Sequence, residues 1–133
     1  MTVKRRRVLA VKIHCPIAPE TLTAMLAGDE QALERDATAA AILGIIRAGT
    51  PLGDFGLYHG VCEISLGWES FTPSPQAKPT LGSADARSLS PTVILTTYAP
   101  ADTDIEPALS ALIAAHPWEV PVIELAETHL LVR

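Results

Sequence analysis

The chain has 133 residues, 48% of them hydrophobic and 19% charged, and a formal net charge of −5. That length suits one domain built around one core, and the balance excludes a disordered chain. Lys4, Arg5, Arg6 and Arg7 hold four of the ten basic residues, leaving six Lys/Arg against fifteen Asp/Glu from Val8 onward, so the body offers no basic surface for nucleic acid.

Residues 1–7 read as a basic, solvated N-terminal arm and residues 8–133 as a single domain. The "VLAV" that follows the arm is interrupted by Lys12 and His14, too early for a signal peptide. No stretch approaches the ~18 apolar residues of a membrane span. Cys15 and Cys62 are too few for a disulfide framework. A cytoplasmic protein with reduced thiols and no membrane partner is expected.

Residues 8–14, "VLAVKIH", predict a first strand, ended by Cys15-Pro16. Pro19 suits the first turn of a helix that Gly28 stops. Asp29 is positioned to cap an extra helical segment over residues 29–48, in which Leu33, Ala37, Ala41, Ile42, Ile45 and Ile46 recur at helical spacing. Gly49, Thr50, Pro51 and Gly53 break it. Leu57 to Leu66 predicts a second strand with a bulge at Gly60. Residues 67–91 form a Pro-rich excursion with Pro73, Pro75, Pro79 and Pro91.

Residues 92–98, "TVILTTY", predict a further strand. Ile105, Ala108, Leu109, Leu112, Ile113 and His116 then trace one helical face, with Thr103 and Glu106 at capping-box spacing. Pro117 stops that helix, and "EVPVIEL" and "THLLVR" close the chain as strands or one broken strand. The order is that of an α+β, ferredoxin-like βαββαβ sandwich, with helices on one face of an antiparallel sheet. The other face is left half polar, to be covered by oligomerisation.

"HPWEVPVIEL" resembles the "HPYE-P" signature after the last helix of CutA-like proteins and of the small domain inserted in Nif-three-like proteins. Gly56, Tyr58, Cys62, Ser65, Gly67, Phe71, Pro73, Pro79 and Gly82 are similar to the latter family's series, and "VKIHCPIAPETL" to its first strand and helix start. On these blocks the chain resembles a stand-alone YqfO-type domain of the CutA/PII-like superfamily. The resemblance implies a ferredoxin-like subunit that forms a homotrimer with clefts between subunits. The dinuclear metal site of full-length Nif-three-like proteins lies in domains for which this chain has no room.

Two readings of "AHPWEVP" compete. As punctuation, His116 bonds free helix carbonyls, Pro117 stops the helix, Trp118 anchors the core and Pro121 sits on an edge strand. As a site, Tyr58, His59, His116, Trp118 and Glu119 line an inter-subunit cleft for a small-molecule ligand. A sharper reading takes His59, Cys62 and His116 as ligands of a divalent ion, copper or zinc, as these donor types suit both metals. On an extended strand, however, positions 59 and 62 face opposite ways. No nucleophile elbow or phosphate-binding glycine loop is present. The expected function is therefore a non-enzymatic oligomeric small-molecule-binding or regulatory module; the alternatives are a CutA-like metal-binding or tolerance protein and a structural assembly domain.

Overall fold

In the computed structural model, which describes residues 2–49 and 51–133, the first strand, β1, runs from Lys4 to Pro16. It is four residues longer at its start than the apolar pattern predicts, and "KRRR" is not an arm. Lys4, Arg5, Arg6 and Arg7 pair with Val132, Leu131, Leu130 and His129 of the last strand. Ladder hydrogen bonds come from the backbone, so charged side chains at a sheet margin do not prevent pairing. Met1 of the expected arm and Thr50 of the expected break lie outside the described residues.

Helix α1, Pro19–Leu26, starts at its proline and stops before Gly28, whose φ of +87° is open to glycine without strain. The segment expected as one helix over residues 29–48 is two: α2, Ala32–Arg35, and α3, Ala37–Arg47. The break is at Asp36, which is extended (φ −86°, ψ 119°) and caps α3 by accepting from the Ala39 N–H at 3.1 Å. Asp29, expected to be the cap, instead accepts from the Gln31 N–H and pairs with Arg35.

Strand β2 is Glu63–Phe71, not Leu57 to Leu66. Gly53, Gly56 and Gly60 all have positive φ, which keeps residues 51–62 in a loop and puts Gly60 outside any strand bulge. At Gly53 a Cβ would meet the Val61 backbone N at 2.6 Å, so the loop closes on itself only because that residue is glycine. Strand β3, Ser88–Pro100, is likewise longer than predicted, which shortens the excursion to residues 72–87. Helix α4 is Glu106–Ala115. The Thr103–Glu106 capping box does not form; Asp104 accepts from the Glu106 N–H at 3.0 Å, and Pro107 sits in the first turn. The closing strand β4, Ile123–Val132, is unbroken.

The sheet order is β2-β3-β1-β4 with every neighbouring pair antiparallel, which is the ferredoxin-like α+β arrangement. Ile13 opposes Leu95 and Cys15 opposes Val93 on the face that carries the helices. Onto them pack Ile42, Leu43 and Ile46 of α3, Leu112 of α4 and Ile105 before it, all buried. Each such side chain contributes roughly 1.5–3 kcal/mol by leaving water. The edge strand β2 extends past this cover. Ile64 and Leu66 oppose Leu95 and Val93, so they share the helix-side face, yet they stay 43% and 42% exposed, and Trp68 58%.

Asp36 also accepts from the Ala18 N–H at 3.0 Å and the Thr21 hydroxyl at 2.7 Å, joining the start of α1 to the start of α3. Burial acts to raise its pKa, but the bonds from Ala18, Ala39, Thr21 and Thr38 outweigh that and hold its carboxyl below the ordinary 3.8. A depressed folded pKa gives stability that is whole above the unfolded value and lost as pH falls through the folded one. Replacing Asp36 by Ala should cost about 2–3 kcal/mol at pH 7 in urea unfolding. The variant should also lose less further stability than the parent as pH falls below about 4, the ordinary carboxylate range.

Candidate functional site

His116 is buried where α4 ends. Its Nε2 lies 2.8 Å from the His14 carbonyl of β1, and its Nδ1 lies 3.2 Å from the Trp118 backbone N. A carbonyl only accepts and an amide N–H only donates, so the ring is the neutral tautomer with its hydrogen on Nε2. Both ring nitrogens are thereby engaged, and neither is left for a metal or a ligand. Trp118 turns its ring edge-on to Phe71 at the end of β2, with centroids 4.7 Å apart. The Glu119 carboxylate accepts from the Lys78 N–H of the excursion. The three side chains thus tie the α4–β4 turn to β1, to β2 and to residues 72–87 in succession.

Tyr58 and His59 sit in the loop at the other end of the sheet. Tyr58 is 72% exposed, and His59 is exposed with its Nδ1 3.6 Å from Asp54 Oδ1. That loop is fastened by the Gly53 N–H to the Tyr98 carbonyl, by Thr97 Oγ1 to the Val61 carbonyl and by Arg6 to the Asp54 carbonyl. Tyr98 opposes Ala10, whereas His116 is anchored to His14. Those two β1 positions are separated by roughly 13 Å of strand. The five residues expected to share a cleft therefore divide within one chain into an exposed pair at one end and a turn at the other.

Within one chain the expected metal set is not brought together either. His59 and His116 are at opposite ends, and among the described residues no three His, Cys, Asp or Glu side chains gather where they could hold a metal ion. Burial pushes the Cys62 thiol up to about 11, with Arg47 pulling down and Glu63 adding to the rise. Burial, with the nearby Asp36 charge, pushes Cys15 up to about 12. Both thiols stay protonated at neutral pH, poor as nucleophiles and as soft ligands.

Two adjoining clefts open beside the turn. The larger, about 740 Å³, is walled by Thr21, Asp36, Thr38, Leu81, Ser90 and Trp118. The smaller, about 410 Å³, is walled by Phe71, Pro79, Leu81, Trp118 and Val120, with Glu69 and Glu119 at its polar positions. Both volumes fall in the range of small-molecule sites. Trp118 and Leu81 serve as walls of both. Asp36, Glu69, Phe71 and Leu81 escaped the sequence reading as site residues. The "DATAA" start of α3 carries a capping signal for Asp36, but nothing local places the excursion against the α4–β4 turn.

The fold is similar to part of a Bacillus cereus protein related to NIF3, with a TM-score of 0.63 at 16% identity. The match covers 96% of this chain and 27% of that one, so the chain spans about a quarter of that protein's length. A likeness at that identity is one of fold. No protein-family model matches the sequence, and no curated protein does. Among the described residues no helix is long and apolar enough to cross a membrane.

Replacing His116 by Ala removes two hydrogen bonds and strands the part-buried His14 carbonyl, which should lower stability by about 2 kcal/mol in urea unfolding. Saturating Zn²⁺ should leave the Tm of the parent protein unchanged, since binding to the native state alone would raise it.

Proposed function

We propose that the chain is a non-enzymatic, oligomeric small-molecule-binding or regulatory module, a counterpart of the YqfO-type domains of the CutA/PII-like superfamily, working in the cytoplasm. The observation that carries this reading is the pair of ligand-sized clefts sharing Trp118. Their concave, largely apolar walls with a few convergent polar groups have the composition of binding sites. The protonated thiols and the fully engaged imidazole of His116 favour binding over bond-making chemistry. Tyr58 and His59 remain outside the clefts of a single chain and join this reading only across a subunit boundary.

Self-association draws on the uncovered end of the sheet. Ile64, Leu66 and Trp68 form an exposed apolar row on the edge strand β2, a surface that a second copy would remove from water. A homotrimer is the expected assembly. Native mass spectrometry on protein purified without chelator should give a trimer carrying the extra mass of an organic molecule; a monomer at micromolar concentration would overturn the oligomeric part of the reading. Replacing Leu66 by Glu should dissociate the assembly while leaving the far-UV circular dichroism of the subunit unchanged.

A further inference from the structure

We infer that the smaller cleft binds a hydrophobic cation, a ligand with an apolar body and an ammonium group. The inference rests on the reading of these clefts as ligand sites and adds the charge and class of the ligand. Of the twelve residues that line the smaller cleft, two are glutamates, Glu69 and Glu119, and none is Lys, Arg or His. Lys78 lies between Ala77 and Pro79 of the lining but is exposed, and it meets Glu119 through its backbone N–H. The lining therefore carries two carboxylate residues and no basic side chain, set among apolar walls.

Each class of occupant fares differently there. An anion would meet two carboxylates with no basic side chain in the lining to balance it. A neutral apolar molecule would strip water from the carboxylates and leave them without a new partner. A cation replaces that water with an ion pair, and its apolar body covers the Phe71, Pro79, Leu81 and Val120 side chains. The aromatic corner adds to this. Phe71 and Trp118 meet at an interplanar angle of 66°, so their faces point in different directions, and a ring face attracts an ammonium group. The long-range field acts the same way, because the chain beyond the basic run carries an excess of acidic residues.

The test uses the full chain in a Trp68→Phe background. Trp68 does not line the smaller cleft and phenylalanine keeps an apolar ring in the β2 row, so Trp118 becomes the sole tryptophan. Fluorescence titrations with benzyltrimethylammonium, benzyl alcohol and benzoate vary the charge on one aromatic body. The ammonium probe should bind roughly fivefold tighter than the alcohol, with benzoate weakest. Glu119→Gln keeps an oxygen for the Lys78 N–H, and Glu69→Gln keeps the side-chain size; each should weaken the ammonium probe and leave the alcohol unchanged. Equal or tighter binding of benzoate or the alcohol, or an ammonium affinity indifferent to both substitutions, would overturn the charge assignment while leaving the cleft a binding site. Silence of Trp118 toward all three probes would remove both this inference and the cleft reading beneath it.

Discussion

Five residues at the end of β1, His14 to Ala18, hold the clefts in place. The His14 N–H bonds the Val122 carbonyl at 3.0 Å, and its carbonyl takes the His116 ring. The Ile17 N–H bonds the Pro91 carbonyl at the start of β3, and the Ala18 N–H bonds Asp36 ahead of α3. Every segment that walls the larger cleft, apart from the excursion, is attached to this short piece of backbone. Buried backbone groups must find partners, so displacing any one of these segments would strand a donor or an acceptor. The larger cleft is positioned by that accounting together with the apolar core, whose Ile17 also lines it.

The polar groups near this end show how one environment directs different chemistry. Asp36 keeps its charge although burial opposes it, because four donors converge on its two oxygens. Cys15 has no such donors and is driven by burial into a neutral thiol. The His116 ring is fixed in place by a carbonyl on one side and an N–H on the other. Residues that look chemically able in a list of side chains are spent on holding the fold. The smaller cleft is lined instead by Glu69, Glu119, Phe71 and Trp118.

Much of the fold was legible where the determinants are local. Pro19 and Gly28 bound α1 because a fixed φ suits a first turn and a positive φ suits glycine. The alternation of β1 and the i, i+3, i+7 spacing of Ile105, Ala108 and Leu112 mark the buried faces directly. The reading failed where two local signals competed. Asp29 and Asp36 are both plausible caps, and the choice fell to Asp36 because Ala18 and Thr21, distant in sequence, supply extra donors. "LYHGVC" resembles a strand, but its glycines are spent on a loop fastened to Tyr98 and Thr97. "KRRR" resembles an arm, yet β4 is long enough to pair with it.

The site was half legible in the same sense. "HPWE" stands out because a histidine, a tryptophan and a glutamate mark a helix stop, and the structure makes Trp118 of that turn a wall of both clefts. Its partners were not legible: His116 reaches His14 across 102 residues, and Glu119 reaches Lys78 across 41. By itself the sequence determined the α+β class, the order of the main elements and the acidic character of the body, because periodicity, turn residues and charge act within a few positions of themselves. Only the tertiary structure decided which aspartate caps α3, which histidine is spent and which glutamates face an apolar cleft. Those outcomes depend on backbone partners that strand register brings together, and register is a property of the paired sheet rather than of any one stretch of it.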